Sequence, residues 1–285
     1  MKLALIGVGL IGGSLAAALR DAGAVARVSG FDADPQASAA GLARGILDQA
    51  APTVADAVST ADVIVIATPV GAMRQVLTEV AASLSASAVV TDVGSTKCSV
   101  IEDARSALGP AFPRFVPAHP IAGGERPGVE HASAELFRER LAITTPVAAT
   151  DREALAQVEE LWSSVGARLE RLTPEQHDKV FAAVSHLPHL LAFALVEMIA
   201  RGPDAQTCFS HAGAGFRDFT RIAASSPQMW RDVCLANRGP LGEQLRLYRS
   251  RLEALQQAIG AGDGEALHAV FAAAADTMRS TGGAA

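Results

Sequence analysis

Gly7-Val8-Gly9-Leu10-Ile11-Gly12 stands directly after the apolar run Leu3-Ala4-Leu5-Ile6, and Asp32 ends the next β-like run 20 residues beyond Gly12. That arrangement suits a dinucleotide. Gly7 permits a tight turn, Gly9 lets backbone approach a pyrophosphate, and Gly12 lets helix and strand pack closely, while the helix start supplies N–H donors from the turn that holds Leu10 and Ile11. Asp32 can accept hydrogen bonds from ribose hydroxyls, and its charge repels a 2′-phosphate, which favours NAD over NADP. Thr68 and Pro69, just past the run Val63-Ile64-Val65-Ile66-Ala67, are expected in the same cofactor-binding set.

Other clusters carry residue types suited to proton transfer or anion capture. His119-Pro120 follows the run Phe115-Val116-Pro117-Ala118. Pro120 favours extended backbone at His119, at the carboxyl end of a sheet where ligands of open α/β folds bind. Either a proton acceptor or a structural loop histidine fits that position. As an acceptor with an ordinary pKa near ~6.5, His119 predicts an acid limb in turnover between ~6 and 7. Ser95, within Thr91-Asp92-Val93-Gly94-Ser95-Thr96-Lys97, falls where a strand ends and a helix starts, and reads as an N-cap hydroxyl. Ser185-His186-Leu187-Pro188-His189 reads as a pocket wall, as a satisfied core pair, or, with Cys208 and His211, as a zinc site. Phe216-Arg217-Asp218-Phe219-Thr220-Arg221 sets two arginines at i,i+4 among aromatics that include Trp230. That is either an ordinary ion-pair face or a fork for a carboxylate.

The elements that must position these residues can be read from periodicity. Through the first 145 residues, short apolar runs alternate with helical segments such as 13–22 and 70–83, which implies a parallel sheet covered on both faces. After residue 150 no strand is evident, and Ala/Leu/Glu/Arg patterns separated by Gly and Pro read as helices. The expected division is a dinucleotide-binding α/β domain over residues 1–150 and an all-helical domain over 151–285. In the second, Thr173, Pro174 and Gln176 supply an N-cap, a proline at the first helical position and a capping box. At ~100° per residue, Val180, Val184, Leu187, Leu191, Leu195 and Met198 share one face and Ser185, His186 and His189 the other. A kink is expected at Pro188.

Composition narrows the function classes. A chain of 285 residues exceeds one ordinary core, and 49% hydrophobic with 19% charged residues excludes disorder. A net charge of −6, with 24 Lys and Arg spread along the chain, lacks the basic stripe that nucleic acid requires. Three widely spaced cysteines fit reduced thiols in a cytoplasmic protein, and no metal is expected. Lys2 and the first apolar run imitate an export leader, but Gly7, Gly9, Gly12 and Gly13 interrupt it. The run 187–200, broken by Pro188, His189 and Glu197, falls short of the ~20 apolar residues of a membrane span.

Taken together, these clusters and Trp230-Arg231-Asp232 resemble the prephenate and arogenate (cyclohexadienyl) dehydrogenases of tyrosine biosynthesis, from Gly7 to about Arg238. The resemblance implies an N-terminal Rossmann domain, a helical domain that forms a homodimer, NAD as cofactor and prephenate or arogenate as small-molecule substrate. It also implies His119 as the catalytic histidine with Ser95 as its partner, and Arg221, His186 and His189 as substrate-binding residues. Glu125, Asp218 and Trp230 match positions that shape or gate the pocket. Two rival readings remain at this level. A β-hydroxyacid-type dehydrogenase would need a lysine on the helical domain, for which Lys179 is the one candidate in that helix, and a non-catalytic NAD(H)-sensing module would leave the histidines and Arg221 without a purpose.

Overall fold

The structure, a computed structural model, describes residues 1–124 and 126–281. In chain order its elements begin β1 (Lys2–Ile6), α1 (Leu10–Asp21), β2 (Arg27–Phe31), α2 (Pro35–Ala43), β3 (Gln49–Ala50), α3 (Val54–Val58), β4 (Val63–Ile66), α4 (Met73–Ala81), β5 (Val89–Asp92) and α5 (Cys98–Leu108). They continue β6 (Phe115–Val116), β7 (Ala118–Pro120), β8 (Leu141–Thr144), α6 (Arg152–Ser164), β9 (Arg168–Arg171), α7 (Pro174–Phe181), α8 (Leu187–Ala200), α9 (Ala205–Ser210), α10 (Ala214–Thr220) and α11 (Pro227–Ala236). Two long helices, α12 (Arg238–Ala261) and α13 (Gly264–Thr281), end the described chain.

Six strands form one parallel sheet in the order β3-β2-β1-β4-β5-β6. The crossover from β3 back past β1 to β4 makes it doubly wound, with its switch point between β1 and β4. Alternate residues of the continuous apolar strands feed opposite faces. Leu3, Leu5, Val63 and Val65 join one buried cluster with α1 and α6, and Ala4, Ile6, Ile64 and Ile66 join the other with α4 and α5. This is the Rossmann arrangement expected for the N-terminal part, with helices following it.

Two departures from the sequence reading matter for the site. The run 115–118 is not one strand: Phe115–Val116 pairs with β5, whereas Ala118–Pro120 pairs antiparallel with β8 in a second sheet of order β7-β8-β9. Pro117 separates the two and has no N–H to continue the ladder, so the chain changes sheets there. The stretch after residue 150 also contains a strand, β9, parallel to β8. Arg168-Leu169-Glu170-Arg171 carries a single apolar residue, and its extended form is supported by cross-links. Arg171 grips Glu159 of α6 at 2.6 and 2.5 Å, and Arg168 donates to the Glu139 carbonyl at 3.1 Å.

Met1–Arg238 form one compact unit and Gly239–Ala285 a second. In the first, α7, a π-helical turn over Ala182–His186 and α8 run on as one helix over Pro174–Ala200, long and apolar enough by length and composition alone to cross a bilayer. Its polar side is engaged inside the unit by His177, Asp178 and His186, all buried. Instead of a simple break at Pro188, the helix absorbs the missing N–H with the wider π turn just before it. The apolar face of this helix is largely open in the single chain, with Val184 65% and Met198 62% exposed. The second unit is a helix pair turned at Gly262 (φ +66°), and it too exposes Leu252, Ile259, Phe271 and Met278.

Candidate active site

The glycine motif sits at the carboxyl end of β1. Gly7 has φ +100°, and a Cβ there would lie 2.6 Å from the Ala67 carbonyl group, so no other residue fits. A Cβ on Gly12 would meet the Gly7 carbonyl oxygen at 2.4 Å, which fixes how closely α1 approaches β1. A Cβ on Gly9 would meet nothing within 4 Å: this face of the turn, where α1 begins with Leu10 and Ile11, is open. Asp32 Oδ2 accepts from the Val8 N–H at 2.7 Å and Oδ1 from the Asp34 N–H at 2.9 Å, so the acid also braces the glycine turn. Thr68, beside Pro69 at the end of β4, has a buried hydroxyl with no partner. An open glycine face, an orphaned hydroxyl and an acid after β2 all fit a dinucleotide at the switch point.

His119 lies on β7, opposite Ile143 of β8. Its Nδ1 is 2.8 Å from His177 Nε2, and His177 Nδ1 is 2.8 Å from Asp178 Oδ1. Phe181 packs against both rings, with centroids 4.8 and 4.5 Å away. His177 and Asp178 end the first turn of α7 and begin its second, just past the expected capping box: the Thr173 hydroxyl accepts from the Gln176 N–H at 3.2 Å, and Gln176 Oε1 from the Thr173 N–H at 3.1 Å. Asp178 also accepts the backbone N–H groups of Lys97 (2.7 Å) and Cys98 (2.9 Å). It therefore caps α5 from another helix, a role the sequence reading gave to Ser95. Lys97 takes the N-cap position itself, without a side-chain cap bond.

The electrostatics follow from these contacts. Burial works to raise the Asp178 pKa, but hydrogen bonds from His177 and from the Cys98 and Lys97 N–H groups outweigh it and hold the pKa below the ordinary carboxylate value. Burial lowers the His177 pKa despite Asp178. His119 keeps part of its ring surface open but lies deep among protein atoms. Burial first, then His177, Lys97 and His186, holds its pKa well below the usual 6.5, so an acid limb between ~6 and 7 is not its own. Among the described residues its Nε2 makes no hydrogen bond.

Behind the histidine lies a fully buried ion pair, Lys97 with Asp92. Lys97 Nζ donates to the Ala118 carbonyl at 2.7 Å, and Asp92 Oδ1 accepts from the Ala118 N–H at 3.3 Å. Asp92 Oδ2 accepts from the Gly94 N–H at 2.8 Å, which shapes the turn carrying Ser95. No hydrogen bond joins the Ser95 hydroxyl to His119 among the described residues. Its backbone lies beside His186, where it acts to raise that histidine's pKa.

On the other side, Asn237 Nδ2 donates to the Asp178 carbonyl at 2.8 Å and lies 3.0 Å from His186 Nδ1. His186 Nδ1 is thus the acceptor and its buried Nε2–H lies toward the Ser95 backbone, whereas Trp230 Nε1 is a buried donor without a partner among the described residues. His186 is pushed down to about 4, chiefly by burial. His189 stacks on Trp230 with centroids 3.7 Å apart, and the Arg221 charge helps lower its pKa, after burial. Arg221 follows α10, which stops at Thr220; it opens a 3₁₀ turn and is exposed. Asp218 is exposed on α10, and Glu125 lies outside the described residues. His211 bonds its own helix, and no group of three or more His, Cys, Asp or Glu among the described residues could hold a metal. Lys179, the rival base, is exposed.

His177, Asp178, Lys97 and Asn237 went unread as site residues in the sequence. The available signal was the His-Asp pair just past the capping box of a helix, one turn before Phe181 and two before Ser185-His186.

Comparison with known proteins gives a consistent result. Residues 15–171 match the family described as prephenate dehydrogenase, nucleotide-binding domain, and residues 173–273 that described as prephenate dehydrogenase, dimerization domain. The chain is 35% identical over 274 residues to a prephenate dehydrogenase of Bacillus subtilis, covering 95% of this chain and 74% of that protein. It is 34% identical to a cyclohexadienyl dehydrogenase of Zymomonas mobilis, covering 93% and 90%. A crystal structure of prephenate dehydrogenase from A. aeolicus, in complex with hydroxyphenyl propionate and NAD+, superposes with a TM-score of 0.90 at 34% identity and covers 98% of each chain.

Proposed function

The chain belongs to the prephenate dehydrogenase family, and from that premise we propose which of its residues bind, orient and move protons in the reaction. The activity is the NAD-dependent oxidation of prephenate or arogenate. NAD, when bound, supplies the acceptor for the hydride that leaves C4. As that hydride departs with its electron pair, the C4 hydroxyl gives its proton to His119 Nε2, which makes no hydrogen bond among the described residues, and the C–O bond becomes a carbonyl. Loss of CO2 from the quaternary ring carbon returns an electron pair to the ring, the oxygen takes its proton back, and the ring is aromatic. The proton is borrowed, so the base must be neutral at rest and able to return it, and a buried histidine of lowered pKa meets both needs.

The cofactor falls to Gly7, Gly9, Leu10, Ile11, Gly12, Asp32, Thr68 and Pro69, on the half read as residues 1–150 and carried on by α6 and β9. Ser95 holds the hydroxyl side of the substrate near His119. His186, His189 and Trp230, with Arg221, take the carboxylates, and Asp218 shapes the entrance. The buried Trp230 Nε1 donor without a partner, beside the His189–Trp230 stack, favours this division, because an acceptor oxygen of the substrate satisfies it. The open apolar face of α7–α8 is the surface a second copy would cover in a homodimer. The carrying observation is that, among the described residues, Nε2 of His119 on β7, in the sheet beside the cofactor-binding one, makes no hydrogen bond while Nδ1 is engaged by His177. Steady-state turnover of wild type and His119→Asn with prephenate and with arogenate tests it: near-normal turnover in the variant removes His119 from the reaction.

A further inference from the structure

We propose that Asp178 and His177 are positioning residues that set the tautomer of His119 and share the proton it borrows. This rests on the reading of His119 as the acceptor. The chain of bonds allows one protonation pattern. Asp178 is ionised and already accepts two backbone N–H groups, so it can only accept from His177, which places the His177 proton on Nδ1. His177 Nε2 is then a lone pair, and the 2.8 Å contact requires His119 to carry its proton on Nδ1. His119 Nε2 is left as the lone pair that faces substrate. A carboxylate two residues removed from the reacting hydroxyl thus decides which nitrogen of His119 can act.

The same wire accommodates the proton. When His119 Nε2 gains it from the C4 hydroxyl, the Nδ1 proton can move to His177 Nε2, and the cation then lies against Asp178. Reversal delivers the proton back to the product oxygen, so nothing leaves for solvent and no further reactant is needed. The charged groups facing the two rings are Lys97 and Asp92 behind β7, Asp178 on α7 and His186 on the π turn. Cys98, next to Asp178, stays a thiol, its pKa pushed up to about 12 by burial and by that carboxylate.

Asp178→Asn removes the carboxylate that fixes the His177 proton on Nδ1; an amide nitrogen in the Oδ1 place gives up the Lys97 N–H bond and donates to His177 Nδ1, which reverses both tautomers and puts a proton on His119 Nε2. The expected result is a kcat lowered about 10²–10⁴-fold with KM and NAD affinity within a few-fold. In 15N spectra of histidine-labelled enzyme, His119 Nε2 should change from unprotonated in wild type to protonated in Asp178→Asn. Because Asp178 also caps α5, a second pair of variants guards against a folding defect. His177→Gln keeps an acceptor for His119 Nδ1–H and should retain more turnover than His177→Leu, which has none. Unchanged ring shifts in Asp178→Asn, or equal turnover in His177→Gln and His177→Leu at near-wild-type levels, would overturn the relay. If His119→Asn itself turns over normally while the ring shifts reverse as expected, the fault lies with the acceptor assignment and not with the tautomer wire.

Discussion

His119 and His177, 58 residues apart in sequence, share a 2.8 Å hydrogen bond between β7 and the first turn of α7. One ring comes from the sheet that follows the cofactor-binding strands and the other from the helix that continues to His186 and His189. A change in either segment is therefore felt at the same nitrogen.

His119→Asn keeps the size and a polar contact but cannot take a proton. We expect kcat to fall by ~10²–10⁴ with KM and NAD affinity within a few-fold. For wild type, kcat/KM should show no His119 limb near pH 6.5, since its pKa in the free enzyme is held well below that value. A limb between pH 6 and 7 that vanishes in His119→Asn would contradict this burial argument.

Cofactor choice should follow Asp32. NAD should be preferred at least tenfold in kcat/KM, or ~1.4 kcal/mol. Because Asp32 also holds the Val8 N–H, Asp32→Ala should weaken both cofactors while narrowing the gap, whereas Asp32→Asn keeps an acceptor and should narrow it with less loss. Equal use of NADP by wild type would refute the assignment.

Arg221→Ala should raise KM for prephenate ten- to several-hundred-fold, or ~1.5–3 kcal/mol, with a smaller change in kcat. Lysine should rescue poorly, lacking the planar fork. Initial-rate measurements across substrate concentration decide it, and an unchanged KM would move the carboxylate elsewhere.

Stability should decline as the solution is acidified below the ordinary histidine pKa. His119, His177 and His186 all have lowered pKa values in the fold, so between about pH 6.5 and their folded values the unfolded chain binds protons that the native one does not. Stability is full above 6.5 and is lost as pH falls. His186 alone, held near about 4, accounts for about 3 kcal/mol by the bottom of that window. Denaturant melts at pH 7, 6 and 5 should show a falling midpoint, and a flat series would contradict these burials.

Val184→Asp, on the open face of the α7–α8 helix, should leave turnover chemistry intact in the folded chain but shift light scattering from twice 29.3 kDa toward one chain mass. A wild-type protein of single-chain mass would remove the premise.

Much of the cofactor end was legible in the sequence, because Gly7, Gly9, Gly12 and Asp32 act through backbone geometry that their spacing alone dictates. His119 was legible as extended backbone before Pro120, but not its place: the apolar run before it splits at Pro117, and His119 lies inside β7 of the second sheet and not at the end of a strand of the first. His177 and Asp178 were not, since a Thr-Pro-x-Gln start accounts for them as helix residues and nothing local shows that their partners are His119 and the start of α5. β9 escaped because its strand character comes from Arg171–Glu159 and from pairing with β8, not from its own side chains. Arg221 stands where α10 passes into a 3₁₀ turn with helical backbone still in place, so the i,i+4 spacing from Arg217 describes the backbone but not which partner the side chain meets.

The three-residue strand β7 has too few rungs to keep its own alignment, and a slip of one residue would turn His119 to the opposite face of the sheet. Lys97 and Asp92 hold both polar groups of Ala118 and so act as a detent for that alignment. Damage to this buried pair would therefore appear as an enzyme that binds normally and aims its base the wrong way.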